Sequence, residues 1–74
     1  MSQEGKTLRL ALERKRLGLS QAKLAQFADL HPSTVSNIET GNLRPWSSQR
    51  KKIESAMREA GWSEEGDLFK EVEQ

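Results

Sequence analysis

The sequence predicts an all-α domain of about five short helices. Three observations carry that prediction. Apolar residues recur at helical spacing in several separate runs. Helix-start signals precede these runs at Ser20, Pro32, Ser47 or Ser48, and Ser63. Glycines follow at Gly18, Gly41 and Gly61, where a left-handed residue can stop a helix.

Seventy-four residues make one domain, 1–74. A domain this small is marginal alone, so dimerisation is a plausible source of extra stability. There is no cysteine, which excludes disulfides and a thiolate metal site. His31 is the single histidine and cannot form a metal cluster by itself, so no cofactor is expected. No long hydrophobic run suggests a membrane span or a signal peptide, and the chain is expected to be cytoplasmic. The net charge of +1 hides an asymmetry. Residues 1–53 carry ten Lys/Arg against four acids (+6), and residues 54–74 carry two against seven (−5). A basic body with an acidic tail fits a front face that meets phosphates, although chance asymmetry in a small chain is the alternative.

The first helix is expected from Gly5 or Lys6 to Leu17, with Leu10, Arg14 and Leu17 on its buried stripe. Leu8 and Leu12 are extra apolar positions that do not both fit one core. Ser20 caps a second helix in which Leu24, Phe27 and Ala28 fall at helical spacing. Ala25 beside them leaves room for a close helix. Asp29 and Leu30 make the turn, and Pro32 opens a third helix ending at Gly41. A loop, Asn42 to Pro45, leads to a fourth helix ending at Ala60, with Ile53, Ala56, Met57 and Ala60 inward. Trp62 is expected to cover the core. Ser63, with Glu64 and Glu65 in the first turn, would start a last helix over 63–73. Its stripe of Leu68, Phe69 and Val72 would fold back on the core, pack against a second subunit, or both. Met1 to Glu4 and the last two or three residues are expected to fray.

Helix 32–40 is the unusual one. On a helical wheel Val35 and Ile38 point one way, with Glu39 beside them. Ser33, Asn37 and Thr40 point the other way, flanked by Thr34 and Ser36. A helix that only had to be soluble would usually carry Lys and Glu there. Short uncharged hydrogen-bonding groups can approach base edges or phosphates closely. Wheel position alone fits this reading and a small solvated face equally well.

The full pattern is Arg14, then Ser20, Gln21, Leu24 and Ala25, the turn, and Val35-Ser36-Asn37-Ile38-Glu39 with Gly41. It resembles the helix-turn-helix of the Cro and lambda-repressor-like family, ungapped from about Arg14 to Gly41 and more loosely to Trp62. The resemblance implies a lambda-repressor-like bundle with its helix-turn-helix at 20–41. It implies a sequence-specific regulator of transcription, a repressor by first expectation, that binds duplex DNA as a homodimer. Helix 32–40 would lie in the major groove. Ser33 and Asn37 would read base edges, and Thr34, Ser36 and Thr40 would meet sugar–phosphate or bases. Gln21 would meet a phosphate at the start of its helix and support the start of the next one. Arg44 and Lys23 would add phosphate contacts. Arg14 on an inward stripe would be costly unless paired. The family pairs an arginine at this position with a glutamate matching Glu39, and the alternative is an Arg14 reaching solvent or a phosphate.

One departure from the family stands out. Arg50 occupies a usually apolar position near the start of the fourth helix. Either the register over Trp46 to Lys52 differs, or Trp46 fills the space. The Arg50-Lys51-Lys52 run is a solvated face or a phosphate contact. No catalytic constellation is present: His31 is followed by proline and fits a helix entry, where its ring can cap an N–H, so no enzyme activity is expected. Two alternative functions stay open, the antitoxin of a toxin–antitoxin pair with a protein partner, and a helical protein-interaction module without DNA binding.

Overall fold

The computed structural model describes residues 6–73. The fraying expected of Met1 to Glu4 falls outside those residues; of the last two or three residues, Gln74 also falls outside, whereas Val72 and Glu73 stand in a short strand. The described chain runs β1 (Lys6–Leu8), α1 (Arg9–Arg16), α2 (Gln21–Ala28), α3 (Pro32–Glu39), α4 (Ser47–Glu59) and β2 (Glu71–Glu73). The fold is mainly helical, as expected, but with four helices among the described residues and a small two-stranded sheet.

Helices α2, α3 and α4 start and stop where local chemistry dictates. Ser20 Oγ accepts from the Lys23 N–H at 3.0 Å and caps α2. Asp29 ends α2 with φ +58, a left-handed conformation that a short polar side chain tolerates. Gly41 and Gly61 follow α3 and α4 at φ +85 and +115. At the start of α4 the Gln49 side chain reaches back to the Trp46 N–H at 2.9 Å.

Leu10, Leu24, Ala25, Val35, Ile38, Ile53 and Met57 are completely buried. The expected inward face of α4 is therefore the observed one, with Ala60 half-buried beyond it. Leu8 and Trp62 join this core, and Leu12 is half-buried. Leu8 and Leu12 are both accommodated because Leu8 is on a strand, outside the stripe of α1. Phe27, expected at helical spacing with the core residues, is 46% exposed, and Trp46, one of the two alternatives for the Arg50 position, is 72% exposed and fills no core space. Arg50 needs no Trp46 to replace it. Its guanidinium lies 4.8 Å from the centre of the Phe69 ring and 3.6 Å from Asp67, so the cation ties α4 to the segment after it.

The largest corrections concern the two ends of the described chain. Residues 63–73 are not a helix, and α1 starts at Arg9 rather than at Gly5 or Lys6. Gly66 takes φ +112, and the Asp67 carboxylate accepts from the Phe69 N–H at 2.9 Å, which turns the chain. Glu71–Glu73 then pairs antiparallel with Lys6–Leu8, Thr7 opposite Val72. Leu68 is 2% exposed in the chain's own core.

A physical reason lies at the start of α1. Its capping position holds Leu8, which has no side-chain acceptor. The first amides are instead satisfied by backbone carbonyls of the returning segment: Arg9 N–H donates to Lys70 O at 2.9 Å and Leu10 N–H to Leu68 O at 2.8 Å. The turn at Leu68–Lys70 can deliver two carbonyls there, whereas a helix would keep its own engaged. Arg9 strengthens the junction through the Glu65 carbonyl (2.8 Å) and the Glu13 carboxylate (3.3 Å). Among the described residues, no helix is long and apolar enough to cross a membrane.

Candidate functional site

The site begins with how α3 is held. His31 is its N-cap, and His31 Nδ1 accepts from the Ser33 N–H at 3.3 Å. Pro32 follows at the first helical position, where its missing N–H costs nothing. Val35 and Ile38 are completely buried and Glu39 is 3% exposed, so three positions of this short helix are fixed from inside. The Leu43 N–H donates to the Asn37 carbonyl at 3.1 Å and folds the following loop back onto the helix end.

Glu39 is the buried anchor. Arg14 Nε donates to its Oε2 at 2.7 Å, and Arg14 Nη2 to its Oε1 at 3.1 Å, a two-bond fork across the interior. Arg14 Nη1 also donates to the Leu19 carbonyl at 2.8 Å. Oε1 receives a further bond from Gln21 Nε2 at 2.9 Å. Thr7 Oγ1 donates to the Glu39 backbone carbonyl at 3.2 Å. Groups from β1, α1 and α2 therefore converge on the last residue of α3. The desolvation of such a pair offsets much of its attraction. Its clearer effect is geometric, because it sets the angle of α3 against α1.

The outer face of α3 is different. Ser33, Asn37 and Thr40 are exposed, and Thr34 and Ser36 are half-buried on its flanks. The only charged residue from Pro32 to Thr40 is Glu39, which points inward. Thr40 Oγ1 donates to the carbonyls of Ser36 (3.1 Å) and Asn37 (3.3 Å), so its hydroxyl proton is turned back onto the helix. The Ser33 hydroxyl lies 2.9 Å from His31 Nδ1. Arg44 is exposed in the loop beyond α3 and Lys23 is exposed on α2.

Ser33, Asn37, Thr40, Arg44 and Lys23 are accessible to a partner, and Gln21 departs from its expected contact. Gln21 was expected to support the start of α3, but its side-chain amide is bound to Glu39 at the end of that helix. The sequence holds a signal for this. Two charged residues on inward stripes leave a carboxylate with lone pairs to fill, and Gln21 opens the neighbouring helix with two amide hydrogens. Sequence reasoning also missed Glu13, which is 5% exposed and is reached by Arg9 and by Arg16 at 3.4 Å.

A helix-turn-helix family model matches residues 10–47, just over half of the chain. The matched region runs from α1 through α3 to the start of α4 and includes Arg14, Gln21, Glu39 and the whole outer face of α3. No curated protein and no solved structure matches the chain.

Proposed function

The chain belongs to the Cro/C1-type helix-turn-helix family of DNA-binding regulators, and from that premise we propose that it is a sequence-specific repressor binding duplex DNA as a homodimer. One observation carries this reading. The outer face of α3 is exposed and uncharged while its inner face is locked by Val35, Ile38 and Glu39. A rigid helix with short polar side chains can enter a major groove and bring donors and acceptors to base edges.

In this reading Ser33 and Asn37 read bases, with Asn37 able to pair bidentately with adenine. Thr34, Ser36 and Thr40 meet sugar–phosphate or base edges. The Gln21 backbone N–H faces a phosphate at the start of α2, because its side chain is held by Glu39. Arg44 and Lys23 add phosphate contacts. Two copies related by a two-fold axis would read two half-sites about one helical turn apart.

Selection of bound duplexes from a random pool tests the reading. The expected result is one enriched half-site repeated with two-fold symmetry, bound with an affinity that falls as salt rises. A pool that shows no enrichment, with binding equal for all sequences, removes the specific-reader reading.

The exposed Trp46 and Phe27 favour a second reading, in which an exposed aromatic side chain meets a protein partner. The chain would then be an antitoxin that also binds DNA, or an interaction module that does not. A module of the second kind shows no affinity for duplex DNA even at low salt.

A further inference from the structure

We propose that His31 fixes the hydrogen-bond polarity of Ser33, so that Ser33 reads only a base edge that donates, the exocyclic amino group of adenine or cytosine. This inference rests on α3 being the reading helix.

The Ser33 amide sets the tautomer of the His31 ring. Its N–H points at His31 Nδ1 from 3.3 Å. A backbone N–H can only donate, so Nδ1 is the ring nitrogen without hydrogen, and the neutral ring carries its proton on Nε2. The Ser33 hydroxyl lies 2.9 Å from the same Nδ1. With no hydrogen on that nitrogen, the hydroxyl must be the donor. A serine hydroxyl has one proton and two lone pairs. Once the proton is directed to His31, only the lone pairs remain to face outward.

Ser33 is the second residue of α3 and is exposed. N-terminal residues of a recognition helix are the ones that reach base edges. In the major groove adenine N6 and cytosine N4 donate, whereas guanine O6 and N7 and thymine O4 only accept. A serine free to rotate its hydroxyl would tolerate either kind. A serine tied to His31 discriminates between them. Asn37, one turn along, keeps both a donor and an acceptor. The two reading positions therefore differ in kind: Asn37 can pair with either type of edge, and Ser33 accepts only.

Two measurements on the intact chain test this. Nitrogen-15 spectra of the free protein, in buffer basic enough to keep histidine neutral, should show Nδ1 as the unprotonated nitrogen and Nε2 as the protonated one. Binding should then be measured on every base at each half-site position for the native chain, Ser33→Ala, His31→Ala and His31→Asp. At the position where Ser33→Ala levels the preference, the native chain should favour adenine or cytosine over guanine or thymine by about two- to tenfold, the size of one hydrogen bond. His31→Ala should bring that ratio close to one. His31→Asp should keep it, because a carboxylate accepts from both Ser33 donors and still caps the helix.

A proton on Nδ1, a preference for guanine or thymine, or a ratio unchanged in His31→Ala overturns the inference. So does a Ser33→Ala chain that reads every position as the native one does. If Asn37→Ala still alters base preference in that case, α3 remains the reading helix and only the His31–Ser33 assignment fails. No salt-dependent binding to any duplex removes the proposed function and this inference with it.

Discussion

Helices α3 and α4 present an instructive contrast. Both bury a regular inner face: Val35, Ile38 and Glu39 on α3, and Ile53, Ala56 and Met57 on α4. Their outer faces differ. α4 exposes Arg50, Lys51, Lys52, Glu54, Arg58 and Glu59, with Glu54 and Arg58 paired at 3.8 Å and Arg50 reaching Asp67. α3 exposes Ser33 and Asn37, with no charge. The α4 pattern is what solubility alone selects. Long charged side chains hold a partner at arm's length and keep their water, whereas short polar ones let another molecule approach the helix backbone. The buried anchors differ as well. α4 is held by apolar packing, and α3 adds a buried carboxylate that fixes its direction.

The largest expected effect breaks that anchor. Arg14→Met leaves Glu39 buried with Gln21 as its remaining side-chain donor among the described residues, which should cost about 3–5 kcal/mol of stability in denaturant titrations. Adding Glu39→Leu should recover part of the loss. Near-neutral single variants would mean that the pair does not fix α3.

The next prediction sharpens the contrast between outer faces. Asn37→Ala should weaken binding to the best site by about 1–3 kcal/mol and relax preference at one base pair per half-site. Stability should move by less than about 0.5 kcal/mol, because Asn37 is exposed. Equal weakening on every sequence would place Asn37 on the backbone instead.

Arg44→Ala should weaken binding to all sequences alike. The slope of log affinity against log salt should flatten by about one unit. A slope that does not move takes Arg44 out of the interface.

The smallest effect belongs to α4. Glu54→Gln removes an exposed pair with Arg58 and should change stability by about 0.5 kcal/mol or less, with base preference untouched. A change in preference would show that the charged face of α4 also reads DNA.

The helix-turn-helix was legible because its signals are local. Ser20, Pro32 and Gly41 act within one turn of where they stand, and the inward placement of Val35 and Ile38 follows from spacing alone. The Arg14–Glu39 pair spans twenty-five positions, and a charged residue on each inward stripe marks it. The strands were not legible because three residues carry too little pattern. Leu68, Phe69 and Val72 fit a helical stripe as well as they fit a turn followed by a strand. Only the need of α1 for a cap decides between them, and that need belongs to a part of the chain about sixty residues away. Phe27 was misread for a related reason: periodicity gives a direction on the helix but not the width of the buried stripe, and Phe27 falls at its rim.

The backbone bonds from Arg9 and Leu10 to Lys70 and Leu68 also set the order of events on the ribosome. The start of α1 is translated about sixty residues ahead of Leu68 and Lys70, and its amides find these partners only after both have been made. At about 5–20 residues per second, that separation is a wait of several seconds. During that interval the Arg9 and Leu10 amides lack these two partners, whereas the bonds inside α2 and α3 join residues only a few positions apart. Helix α3 therefore has its local bonds available before the bundle can close at α1, and that closure waits for the carbonyls of residues 68 and 70.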